Sequence, residues 1–266
     1  MRLILCADDF AFSPQVSRVI AELAEDSRLN AISCMAVLPN WPEDSVLLRD
    51  LPPHVEIGLH LVLTLEAPAT AMPGFAIAGV MPTINALAKM AARDTLPLDE
   101  IRAEIRAQFD RFSAAHGRPP AFVDGHQHCH ALPGIREIVL AHTAAHAPGA
   151  WIRDCTDGLI TMATRPFFGK AIGSAWHSRG LRAAAAGYGL SCNDSFAGHY
   201  GFSGDYNVIF PRFLKRPGAR HLVMCHPGGG LRPEDGIALA RLSEAAALRT
   251  LPIAEMAAAQ GLAFPG

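Results

Sequence analysis

Arg2-Leu3-Ile4-Leu5-Cys6-Ala7 is an apolar run behind one arginine that stops at Asp8-Asp9, and shortly after it Val16, Val19, Ile20 and Leu23 recur at three- and four-residue spacing. A short apolar run bounded by charge reads as a buried strand, and the spacing that follows is that of a helix with one apolar face, with Pro14 suited to its first turn. This helix is expected from about Pro14 to Ala24. Ala31 to Leu38 and Glu56 to Leu63 are further β-type runs. Strands that alternate with helical segments pair in parallel through crossover helices, so the chain is expected to be α/β. A length of 266 residues with 50% hydrophobic residues lies within the range of one (β/α) barrel.

The same pattern continues downstream. Ala67 to Pro82 has no period and reads as a long irregular loop leaving the strand that carries His60. Leu98, Ile101, Ile105, Phe109 and Phe112 mark one face of a helix that Gly117, Pro119 and Pro120 end. Phe122-Val123, Trp151 to Arg153 and His221 to Cys225 read as strands; Gly134 to Ala147, much of Pro166 to Ala186, Ile237 to Leu248 and Ile253 to Gln260 read as helices. Gly187 to Gly204, rich in Gly, Ser and Asn, carries no clear assignment. With no repeat, low-complexity block or linker, one domain spanning residues 1–266 is expected.

Composition excludes several functions. A formal charge of -2 with 18% charged residues lacks the basic footprint of a nucleic-acid binder. No apolar run reaches the roughly 18 residues of a membrane span, and Met1 leads straight into the first strand, so neither a span nor a signal peptide is expected. The six cysteines contain no CxxC pair and sit in apolar surroundings, as free thiols do in a reducing cytoplasm.

The metal-capable side chains fall at or just beyond strand C-terminal ends, which converge on one face of a parallel barrel. Asp8 and Asp9 are costly to bury without a balancing cation. Because neighbouring strand residues point to opposite sides, one is free to bind an ion and the other to act as a base; the competing reading is an N-cap pair for the next helix. His60, flanked by Leu59 and Leu61, is either a ligand or a hydrogen-bonded core histidine. Asp124-Gly125-His126-Gln127-His128-Cys129-His130 is more specific, since three histidines at two-residue steps share one face if extended. His226 precedes Pro227 and three glycines, a position suited to a general acid at the barrel mouth. Cys225 has no evident partner that would make it a nucleophile, and no Gly-x-Ser-x-Gly elbow, phosphate loop or dinucleotide fingerprint occurs.

Ala7-Asp8-Asp9-Phe10, Gly58-Leu59-His60-Leu61, the 124–130 run and Met224-Cys225-His226-Pro227-Gly228 together, in this order, resemble the YdjC-like family of carbohydrate deacetylases. The resemblance implies a deacetylase-type, seven-stranded (β/α) barrel that holds one divalent metal ion, magnesium or zinc, on Asp9, His60 and His126. It also implies Asp8 as catalytic base, His226 as catalytic acid and Arg153 as the group that orients Asp8, with Asp124, His128 and His130 behind the ligands or facing substrate. Two positions depart from the family pattern: Ala11 stands where glycine is usual, which questions the local turn, and Gln127 where another histidine is frequent.

The expected reaction is hydrolysis of an N-acetyl group on an amino sugar. A chito-oligosaccharide is favoured by Leu63-Thr64 with the Thr70 to Gly74 stretch, ahead of an N-acetylglucosaminyl hopanoid. The rivals are a metal-dependent phosphoesterase, against which the scatter of Lys and Arg argues, and a metal-stabilised sugar-binding module without turnover. Trp41, Phe75, Trp176 and Tyr200 are candidate stacking platforms for a sugar. The sequence does not specify oligomeric state and leaves a homodimer open.

Overall fold

β1 (Arg2–Phe10) outruns the apolar segment that announced it, carrying both aspartates inside the strand. The computed structural model describes residues 1–231 and 235–265. After β1 come β2 (Ala31–Cys34), β3 (Glu56–Leu61), β4 (Phe122–Gly125), β5 (Trp151–Ile152), β6 (Ser191–Cys192), β7 (Ser195–Ala197) and β8 (Arg220–Cys225). All pairings are parallel, in the order β6-β5-β4-β3-β2-β1-β8-β7.

The two ends of that order are consecutive pieces of one segment, separated by Asn193 and Asp194. β6 pairs with β5 and β7 pairs with β8, so the sheet curls back on itself into a barrel of seven strand positions. Asn193 stitches the break: its Oδ1 accepts the Asp154 N–H at 2.7 Å, and its Nδ2 donates to the carbonyls of Asp154 and Ser195 at 2.8 and 3.0 Å. A buried side-chain amide thus replaces the ladder bonds lost there. This is the Gly- and Ser-rich stretch that periodicity could not assign.

Strand alternation sorts side chains to the two faces. Leu3, Leu5 and Ala7 of β1, Ile32 of β2, Leu59 of β3 and Val223 of β8 join the large core shared with the surrounding helices, among them Pro14–Glu25, Leu98–His116 and Ile135–His146. Ile4, Cys6, Ala31, Phe122, Trp151, Leu222 and Met224 form a second cluster inside the barrel. Phe122 and Trp151 stack there with centroids 4.5 Å apart. The lumen is therefore plugged by apolar groups near the strand N-termini. The next inward positions toward the C-termini are Asp8, Ser33, His60, Asp124 and Arg153, all buried.

Gly58 sits beneath His60 because the Phe122 ring occupies the space a side chain would need; a Cβ there would lie 2.5 Å from the ring. Gly58→Ala is expected to destabilise the fold by about 1–3 kcal/mol through overpacking, read as a lowered denaturant midpoint with an unchanged m-value.

The first helix is capped by Ser13, whose side chain accepts the Val16 N–H at 3.2 Å. The N-cap reading of Asp8 and Asp9 is thereby corrected, since both carboxylates precede the cap and turn into the barrel mouth.

Candidate metal centre and active site

By parity Asp8 points into the lumen and Asp9 should point away. The β1–β2 register shifts between Ala7 and Phe10, and Asp9 has φ 65°, so the bulge turns the second carboxylate inward as well. Ala11 also lies in the left-handed region at φ 73°, which accounts for glycine being usual at this position in the resembling family.

Asp9 Oδ1 lies 3.4 Å from His60 Nε2 and 3.1 Å from His126 Nδ1, and one donor atom from each residue falls within 4.8 Å of the others. His60 and Asp124 are register partners on β3 and β4 with both side chains inward. Their contact follows: His60 Nδ1 is 2.7 Å from Asp124 Oδ1, and the Ser33 hydroxyl donates to the same oxygen. A neutral His60 with its proton on Nδ1 would donate to Asp124 and leave Nε2 free to face Asp9. His126, just past β4, is 22% exposed and forms the open side of the cluster.

The three histidines of the 124–130 run do not share a face. The chain turns at His126–Ala131, with Gln127 and His128 at φ 53° and 61°, so the extended backbone that alternation requires is absent. His128 packs edge-on against Phe196 and His199, and burial together with His199 holds it well below the usual histidine range. His130 is fully buried, with Nε2 2.8 Å from the Arg153 carbonyl oxygen, and burial lowers it to about 4. Only His126 reaches the Asp9 cluster, while His130 supports the backbone of Arg153.

Arg153 is itself fully buried. It grips Asp8 with two nitrogens, at 2.6 Å to Oδ2 and 2.5 Å to Oδ1, and lies 2.5 Å from Asp124 Oδ2. One guanidinium thus ties the aspartate of β1 to the carboxylate that holds His60. His226 Nε2 lies 4.0 Å from Asp8 Oδ2, with the Phe202 ring edge-on to the imidazole at 5.4 Å. Burial, reinforced by Arg241 and opposed by Asp9 and Asp8, lowers His226 to about 4.

Two residues escaped the sequence reading. Arg241, on the helix Ala238–Thr250, donates to Asp9 Oδ2 at 2.7 Å and to Asp235 at 2.9 Å. Glu244, three residues on, accepts from the Tyr200 hydroxyl and from the His226 N–H, each at 2.5 Å. Burial pushes Glu244 up to about 7 despite those bonds. The signal was present, because Arg241, Glu244, Ala245 and Leu248 have the spacing of one buried helix face. Charges at two core positions of an alanine-rich helix imply buried partners.

The donor set suits a divalent cation. With bonds of about 2.1 Å, neighbouring ligand atoms lie about 3.0 Å apart in an octahedron and about 3.4 Å apart in a tetrahedron. The Asp9 contacts at 3.1 and 3.4 Å match those spacings. Charge agrees: Asp8, Asp9 and Asp124 face Arg153 and Arg241, and Arg241 is shared with Asp235, so negative charge remains.

In the metal-free protein the His60 proton takes up part of that charge. Burial lowers His60, but Asp124, aided by Asp9 and Asp8, outweighs burial and raises it to about 10. A cation must displace this proton, since only the neutral ring ligates. Apparent metal affinity is therefore expected to rise about tenfold per pH unit from neutrality toward the His60 value, with one proton released per cation. Titration calorimetry in two buffers of different ionisation enthalpy measures both, and a pH-independent affinity would contradict this account.

Fold and site define a (β/α) barrel with a carboxylate–imidazole cluster at the C-terminal mouth of its strands. The chain belongs to the YdjC-like family, whose profile matches residues 2–259. The chitooligosaccharide deacetylase of Citrobacter koseri is 36% identical over 142 residues, 53% of this chain and 55% of that protein. That of Salmonella enteritidis is 37% identical over 143 residues, 54% of this chain and 55% of that protein. The matched region thus spans about half the length of these curated relatives. A crystal structure from Enterococcus faecalis, described as a cellobiose-phosphate cleavage protein, superposes over 100% of this chain and 97% of its own with a TM-score of 0.77 and 19% identity. That likeness concerns the fold.

Proposed function

We propose that the chain is a single-domain, divalent-metal-dependent hydrolase that removes N-acetyl groups from amino sugars, with chito-oligosaccharides as its substrate class. The observation that carries this is the convergence of Asp9, His60 and His126 donor atoms within 4.8 Å, beside an Asp8 that Arg153 grips on both oxygens. The names of the curated relatives support the same reaction and substrate class.

Asp9, His60 and His126 would hold the cation, which when bound supplies Lewis-acid polarisation and stabilises negative charge at the reacting carbonyl. Asp8, fixed by two guanidinium bonds, presents a carboxylate of defined direction to accept a proton from water. His226 stands 4.0 Å from that carboxylate. As the catalytic acid it would receive the proton that Asp8 accepts from water and pass it to the departing amine. Glu244 and Tyr200 hold the His226 backbone in place for that transfer.

Against a phosphoesterase, the two arginines of the cluster, Arg153 and Arg241, are each paired with carboxylates and so add no free charge for a phosphate. Protein stripped with a chelator is expected to release no acetate from N,N′-diacetylchitobiose and to recover on adding Mg²⁺ or Zn²⁺. Acetate release that ignores the chelator would refute the metal assignment, and phosphate release from phosphorylated sugars without acetate would refute the deacetylase. The thiols, all free and buried, support a reducing cytoplasm as the site of action.

A further inference from the structure

Between β5 and the closing segment the chain makes an excursion through two mutually packed helices, Leu159–Thr164 and Phe168–His177. They and the turn between them expose Leu159, Ile160, Phe167, Phe168, Ile172 and Trp176, and Leu159, Ile160 and Trp176 are 67%, 69% and 69% exposed. Phe168, Ile172 and Trp176 follow one another at four-residue steps and so lie along one stripe of their helix. Large apolar groups gathered in this way mark an interaction surface rather than ordinary scatter.

Charge identifies the partner. From Gly158 to Gly180 the sequence has no Asp or Glu. Arg165 is buried and paired with Asp157, whereas Lys170 and Arg179 are exposed, with Arg179 lying 5.8 Å over the Trp176 ring. A two-fold contact between copies of the chain would set this positive surface against itself. Aromatic and aliphatic side chains with cations and no acid in the same stretch have the composition of an element that lies in a bilayer interface beside anionic headgroups, and Glu137, the acid near Arg179, is paired with Arg136.

The excursion is also fastened to the candidate active site. Lys170 Nζ donates to the Tyr200 carbonyl at 3.1 Å and lies 4.9 Å over the Phe202 ring, the ring that meets His226. Ser174 Oγ is 2.9 Å from His199 Nε2, and His199 packs on His128. We propose that Leu159–Thr164 and Phe168–His177 form a docking surface for an anionic lipid bilayer, which sets the barrel mouth close to the headgroups. The surface stands on its own residues and not on the deacetylase reading, and its test needs no sugar.

Trp176 reports directly, because Trp41 and Trp151 are only 1% and 5% exposed. With vesicles of phosphatidylglycerol and phosphatidylcholine, tryptophan emission is expected to shift to the blue and the protein to sediment with the lipid, less so in pure phosphatidylcholine or at high salt. The double variant Leu159→Ser/Ile160→Ser is expected to lose at least about tenfold in vesicle partition with an unchanged melting temperature, since both side chains are about two-thirds exposed. No shift and no sedimentation at millimolar lipid would overturn the proposal. So would a lipid-independent dimer that the same two substitutions dissociate, which would assign the surface to a second copy of the chain.

Discussion

Asp8→Asn is expected to lower kcat for acetate release by about 10²- to 10⁴-fold, the range for losing a positioned general base. An amide is nearly isosteric with a carboxylate but cannot accept the water proton at neutral pH. The substitution leaves Asp9, His60 and His126 in place, so divalent metal affinity is expected to stay within a few-fold of the parent protein. That split separates the two neighbouring aspartates, because Asp9→Asn would weaken metal binding as well. Steady-state kinetics paired with calorimetric metal titration measures both, and full activity in metal-loaded Asp8→Asn protein would remove Asp8 from the chemistry.

Arg153→Met is expected to destabilise the metal-free fold by about 3–5 kcal/mol at neutral pH, the range for breaking a buried ion pair from one side. Methionine fills much of the space but leaves Asp8 and Asp124 buried without the guanidinium that contacts both. The pH dependence gives the sign. Burial raises Asp124, but Arg153 and His60 outweigh it and hold its carboxyl at about 2. A carboxylate depressed in this way adds stability above its unfolded value and loses it as pH falls toward 2. Without Arg153 the carboxyl titrates higher and can take up a proton in mild acid, so the deficit is expected to shrink between pH 7 and about pH 4.5. Urea melts of both proteins at the two pH values measure it. An equal deficit at both would mean that lost packing, not unpaired charge, sets the effect. Arg153→Lys, which keeps the charge but not the two-pronged grip, is expected to fall between the two.

The strand–helix alternation was legible because it rests on local spacing: β1, β3, β4 and β8 begin within a few residues of their apolar runs. The closing segment was not, since β6 and β7 are too short to show a period and are held by Asn193 and by partners distant in the chain. Within the 124–130 run, alternation failed because two residues adopt positive φ, and no local rule required glycine at either of them. Of the candidate sugar platforms, Trp41 and Tyr200 are core residues, Phe75 is buried in its loop and Trp176 stands on the exposed excursion.

By itself the sequence determined which side chains stand at strand ends and which family they resemble, because apolar spacing and motif order are properties of the linear chain. Tertiary structure alone decided that Asp9 turns inward beside Asp8, that Arg153 bridges Asp8 and Asp124, and that Arg241 and Glu244 enter from the last long helix. The physical reason is that burial of a charge is settled by partners far away in the chain. A carboxylate in the lumen is tolerated only where a guanidinium, an imidazole or a cation meets it, and that meeting exists only once the barrel has closed.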